Sequence, residues 1–259
     1  MQASQKQAIK AYLEHLYTKY NTAAYIKTDP IVFPHTYGGN REFVAFTAAM
    51  FAYGNVKAMQ GFLASFFANC GTDPLDLKPN KALKYRFQSV ADVDAYCRVM
   101  GQLYSEYKSL ESLFYGEAKP DLAAGMGKIR SYFTNMSHGV NFLLTMPGKS
   151  ASKRLTMFLR WMIRKDDIDF GLWQSFRPVQ LSMPLDVHIT RFSEKNGIIG
   201  SEKGAKALAL VDSFFRELTP EDPAKYDFAI TRLGIAHKCQ YALDTACNDC
   251  EERGICLFK

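Results

Sequence analysis

A chain of 259 residues with 47% hydrophobic and 14% aromatic content can bury a large core, as one domain or as two closely packed lobes. Its 32 Lys and Arg against 26 Asp and Glu leave a net charge of +6, an excess that permits a polyanionic partner without requiring one. Met1 to Gln7 has no apolar signal core, and the apolar run Phe43 to Tyr53 is far shorter than the ~20 residues of a membrane helix, which predicts a soluble, cytoplasmic protein without a membrane partner.

Helical periodicity dominates the chain, and no stretch alternates over strand length, so the predicted class is all-α. A first helix covers 4–20 and ends near Asn21. Asn40 is placed to cap a helix over 41–53 that is apolar on nearly every side, as helices in the middle of a bundle are. Further helices are predicted over 55–69, 91–107 and 121–135. Ser152 can cap the next, whose Leu155, Phe158, Leu159 and Met162 fall on one stripe. Asp186 can cap a helix that Asn196-Gly197 stops, and 204–218 carries Leu208, Val211, Phe215 and Leu218 on one face. Asp222-Pro223 reads as a cap with proline at the first helical position, opening a helix that ends near Gly234. There is no internal repeat and no low-complexity tract.

Four of the six cysteines crowd into the C-terminal stretch as Cys239, Cys247, Cys250 and Cys256, a C-x7-C-x2-C-x5-C pattern. Four thiolates at this spacing can converge on one centre, and thiolates suit an iron–sulfur cluster or tetrahedral zinc. Four reduced thiols without metal remain the alternative at this point. Cys70 and Cys97 read as inert buried thiols. Trp161 and Trp173 read as core residues, and His188 as a residue that hydrogen-bonds within the structure.

The stretch Leu233-Gly234…Cys239…Cys247-Asn-Asp-Cys250…Cys256 resembles the iron–sulfur loop of endonuclease III and its adenine-glycosylase relatives, with one residue more in the first gap. Pro184-Leu185-Asp186-Val187-His188-Ile189-Thr190-Arg191 resembles the segment of that family that carries its catalytic aspartate. Met146-Pro147-Gly148-Lys149-Ser150-Ala151-Ser152-Lys153 resembles its hairpin, whose lysine is the nucleophile, although the second glycine is missing and one residue is added. The chain is thus similar to the helix-hairpin-helix base-excision DNA glycosylases, most of all to a bacterial family of unassigned function within that superfamily.

The resemblance implies a two-lobed fold, with a central bundle over 41–150 and a second lobe built from 1–40 and 151–259. It implies a monomer acting on double-stranded DNA, with a [4Fe–4S] cluster, or alternatively zinc, on the four cysteines. Lys153 is then the nucleophile and Asp186 the carboxylate that stabilises positive charge developing on the sugar. Asp186 as a helix cap only, Lys153 as part of a solvated basic face, and Lys149 as the nucleophile of a shifted hairpin are the competing assignments. Gly148, Lys149 and Ser150 would meet phosphate through the hairpin backbone, and Tyr53 or Asn55 would fill the gap left by an everted nucleotide. Arg154 and, two turns along, Arg160 would add cations near Lys153. The long interval between Lys153 and Asp186 resembles that of the archaeal 8-oxoguanine glycosylases and implies an oxidised base as substrate. A nucleic-acid-binding module that kept the fold and lost the chemistry is the alternative.

Overall fold

A computed structural model of the chain describes residues 1–78, 82–115, 120–134, 140, 143, 152–241 and 247–258. Among these, every extended regular element is helical, and β pairing is confined to isolated bridges such as Tyr85 with Gln88. None of the described helices is long and apolar enough to cross a membrane.

Helix α1 (Ala3–Tyr20) buries Ile9, Tyr12, Leu13, Leu16 and Tyr20, one stripe at helical spacing. A 3-10 turn (Ala23–Thr28) and the short α2 (Val32–Thr36) follow. Both are too brief to produce a periodic signal, and neither was expected. Asn40 caps α3 (Arg41–Met50) by accepting from the Phe43 N–H, and every side chain from Phe43 to Met50 is buried. Asn55 caps α4 (Val56–Cys70) through the amides of Lys57 and Ala58. A capping box formed by Ser89 and Asp92 opens α5 (Val90–Tyr107), and Ser109 caps α6 (Leu110–Phe114). The next helix, α7, runs Leu122–Thr134.

Helix α8 (Lys153–Ile163) begins where expected, but Ser152 does not cap it through its side chain. The Ser152 hydroxyl is instead engaged by the Arg130 guanidinium. Helix α9 (Val187–Lys195) is capped by Asp186 and followed by Gly197 at φ 66°, the left-handed stop expected there. Helix α10 (Gly204–Leu218) buries Ala207, Val211, Phe214, Phe215 and Leu218. Helix α11 (Asp227–Ala236) starts later than Asp222-Pro223 suggested. The Asp222 carboxylate is taken by Arg164 Nε at 2.8 Å, so it is not free to cap, and residues 223–226 form turns.

The buried side chains form two cores. The first gathers Ile26, Ile31 and Phe33, helices α3 to α8 and the chain on to Leu181, together with Ala224 and Phe228. Within it α8 lies on α3, where Phe46 and Phe158 meet edge to face at 5.1 Å. The second joins α1 to α9, α10, α11 and Tyr241. The start of α11 belongs to both, since Phe228 packs in the first while Tyr226, Ala229 and Ile230 pack in the second. Asp227 therefore sits at the seam. The boundary expected at residue 150 lies outside the described residues.

Candidate active site

Three helices begin at this seam: α8 with Lys153, α9 capped by Asp186 and α11 with Asp227 as its first residue. A helix N-terminus presents unpaired N–H groups and the positive end of its dipole, and so favours carboxylates and phosphate. Between them lies a cavity of about 190 Å³, lined by Lys153, Asp186, Asp227, Arg160 and His188, with Tyr53 and Gly54 on another wall. That volume admits a small organic group rather than one or two waters.

Lys153 Nζ lies 3.3 Å from Asp186 Oδ2. The two Asp186 oxygens divide their tasks: Oδ1 accepts from the His188 and Ile189 amides, both at 2.8 Å, while Oδ2 turns to the lysine. Cap and pocket carboxylate are thus compatible roles of one side chain. The carboxylate is 5% exposed and the lysine 42%, so a rigidly held anion faces an amine that solvent and a ligand can reach.

Under this pair lies a buried charge network. Arg160 joins Asp169 at 3.1 Å and also pairs with Asp227, while Arg164 joins Asp166 and Asp222, each at 2.8 Å, and pairs with Asp169. Arg160, expected as a cation near Lys153, thus has its charge engaged by two aspartates. Burial pushes the Asp227 carboxyl up to about 6; Arg160 opposes this and Asp186 adds to it. Arg232, 3% exposed, holds Asp29 at 2.9 Å on the same cavity wall. None of Asp29, Asp227 and Arg232 was expected from the sequence. They pair across long separations, and no local spacing marks them.

His188 differs from expectation. Its Nδ1 is buried and has no hydrogen-bond partner among the described residues. The ring lies against Gly234, where a Cβ would collide with it, which accounts for glycine within α11. Burial holds its pKa below the ordinary value. Trp161 and Trp173 are core residues, the latter donating from Nε1 to Glu42 at 2.6 Å.

Of the expected DNA-contacting residues, Gly148, Lys149 and Ser150 lie outside the described residues. Arg154 donates to the Met50 carbonyl at 2.7 Å and lies 5.2 Å from the Tyr53 ring centre. Tyr53 is half-buried with its hydroxyl on Gln88 Oε1, and Asn55 is exposed and caps α4.

The four C-terminal cysteines line one cavity of about 550 Å³ together with Tyr12, Leu233, Glu252 and Phe258. All four are partly buried, and Cys239 and Cys256 accept from the backbone amides of Tyr241 and Phe258 at 3.3 and 3.4 Å. Burial pushes the Cys239 thiol up to about 11, so its thiolate form calls for a positive partner. The Tyr12 hydroxyl is buried without a hydrogen-bond partner among the described residues. Glu252, 1% exposed, ties this loop to α1 by accepting from Tyr20 at 2.8 Å and pairing with Lys19 at 2.6 Å and His15 at 2.9 Å. Among the described residues no three His, Cys, Asp or Glu side chains approach closely enough to share one ion. Cys70 and Cys97 are buried in the first core, away from this cavity.

An all-helical chain with a Lys–Asp pocket at the seam of two cores is the class that these observations define. The chain belongs to the family described as a protein of unknown function (DUF2400), which matches residues 29–236. That match contains Lys153, Asp186 and Asp227 and ends before the four C-terminal cysteines. No curated protein and no solved structure matches the chain.

Proposed function

We propose that this protein is a base-excision DNA glycosylase with lyase activity, on the two-lobed helix-hairpin-helix fold, acting on a damaged, oxidised base everted from double-stranded DNA. The observation that carries the reading is the 3.3 Å approach of Lys153 Nζ to Asp186 Oδ2 at the wall of a cavity. An amine attacks in its neutral form, and a carboxylate at hydrogen-bonding distance can accept the proton it sheds. The amine bonds to the anomeric carbon as the bond to the base breaks. The base departs with that electron pair and takes up a proton. Positive charge that grows on the sugar faces Asp186, whose position is fixed by two amides and needs no reorganisation. The aminal so formed opens to a protonated Schiff base as the nitrogen lone pair displaces O4′, which takes up a proton, and that Schiff base permits loss of the 3′ strand by elimination.

Cys239, Cys247, Cys250 and Cys256 would hold a [4Fe–4S] cluster. The cavity they surround suits a multi-atom cluster better than a single zinc, for which the loop would have to contract. Bound there, the cluster supplies structure, fixing a loop that Glu252 anchors to α1. Iron and sulfide analysis with a visible absorbance band supports it; stoichiometric zinc without iron refutes it. For the activity, the test is strand release from duplexes carrying oxidised, deaminated or alkylated bases. Turnover on an oxidised base is expected. Salt-sensitive binding without turnover on any duplex would reduce the protein to a binding module.

A further inference from the structure

Tyr12, on the buried stripe of α1, reaches the cysteine cavity from the far end of the chain. Its ring meets Phe258 edge to face, 6.3 Å between centres and 83° between planes, and its side chain packs in the second core. The residue is 4% exposed, and its hydroxyl finds no hydrogen-bond partner among the described residues. A phenylalanine would bury the same ring at this position without an orphaned oxygen, so the hydroxyl calls for an acceptor.

The ionisable groups that Tyr12 faces are Cys256 foremost, then Cys239 and Glu252. Glu252 is already committed, its Oε1 to Tyr20 and Lys19 and its Oε2 to His15. The Cys239 and Cys256 sulfurs each accept from an amide two residues on, at 3.3 and 3.4 Å. A neutral thiol is a weak acceptor, whereas a thiolate that binds iron carries negative charge and accepts strongly. Among the described groups, the acceptor that suits Tyr12 is therefore the Cys256 sulfur in its thiolate form.

Resting on the iron–sulfur reading, we propose that the Tyr12 hydroxyl donates a hydrogen bond to the Cys256 sulfur and raises the reduction potential of the cluster bound there. A donor at a cysteine sulfur draws negative charge away from the iron, which favours the state that carries one more electron. Tyr12 is a positioning residue in this role, since it acts through Cys256 and lines a different cavity from the Lys153–Asp186 pair. The contact joins α1, which Glu252 already ties to the loop, to the surroundings of the cluster.

The test is a redox titration, followed by electron paramagnetic resonance, of the wild-type chain and Tyr12→Phe, each isolated anaerobically. The substitution removes one buried oxygen and keeps the ring. The wild type is expected to contain iron and sulfide, and Tyr12→Phe to contain equal amounts with unchanged helical circular dichroism. At the potential where the wild type is half reduced, the reduced-to-oxidised ratio in Tyr12→Phe should fall about tenfold. Iron-loaded Tyr12→Phe that titrates with the wild type overturns this inference alone. Should Tyr12→Phe hold no iron, the wild-type sequence grown with 3-fluorotyrosine takes its place in the titration. A more acidic phenol donates more strongly, so the ratio should then rise several-fold, and an unchanged or lower ratio overturns the inference. A wild type without iron and sulfide overturns both this inference and the cluster reading.

Discussion

The walls of the Lys153–Asp186 cavity come from stretches as far apart as Thr28 and Ile235, whereas the cysteine cavity, apart from Tyr12 and Leu233, is lined by residues 239–258. The first depends on how helices pack, with three of their N-termini aimed at one volume above a buried network of arginines and aspartates. The second depends on one short loop, fixed to α1 through Glu252. A site assembled from distant segments inherits the stability of the whole core, and a site on one loop can be lost with the core intact.

That contrast yields graded expectations. The largest concerns the network under the pocket. Arg160→Met leaves Asp169 and Asp227 buried without their shared cation. Breaking a buried pair in this way costs about 3–5 kcal/mol, expected as a fall in melting temperature of roughly 6–20 °C for a chain of this size. An unchanged melting temperature would mean that the pocket does not rest on these charges. Cys250→Ser, by contrast, should remove bound iron and leave the helical circular-dichroism signal in place.

Asp186 separates pocket from cap. In Asp186→Asn the amide oxygen would still accept from the His188 and Ile189 amides, so stability should stay within about 0.5 kcal/mol, because Asn and Asp cap equally well. Turnover should fall by about 10²–10³-fold with the loss of a fixed charge facing the transition state. Asp186→Ala should add a loss of about 1 kcal/mol in stability. Equal turnover for Asp186→Asn and the wild type would leave Asp186 as a cap alone.

The smallest effect is in pH dependence. Burial holds His188 below its ordinary pKa, Asp186 opposes this, and Lys153, Arg191 and Arg232 reinforce it. The unfolded chain therefore binds the extra proton first as pH falls below about 6.5. The stability this neutral ring contributes is present above that pH and is lost as pH drops through the window beneath it. His188→Gln should flatten the decline of melting temperature on acidification, and a steeper decline would contradict the assignment.

What was legible from sequence follows the same division. The long helices and their caps at Asn40 and Asp186 could be read because capping and periodicity are local. So could the cysteine spacing and, through the resemblance, the pairing of positions 153 and 186. The Ser152 and Asp222 caps could not, since Arg130 and Arg164 claim those side chains from distant helices. Asp29 and Arg232 pair across most of the chain, and Asp227 acquires its raised pKa only when α11 closes the seam over Arg160.

The most direct measurement is borohydride reduction of the protein on a duplex carrying an abasic site, followed by peptide mass mapping of the covalent adduct. The account predicts one adduct, on the amine of Lys153, and none in Lys153→Ala at equal protein and DNA. An adduct on another residue, or trapping undiminished in Lys153→Ala, would contradict it.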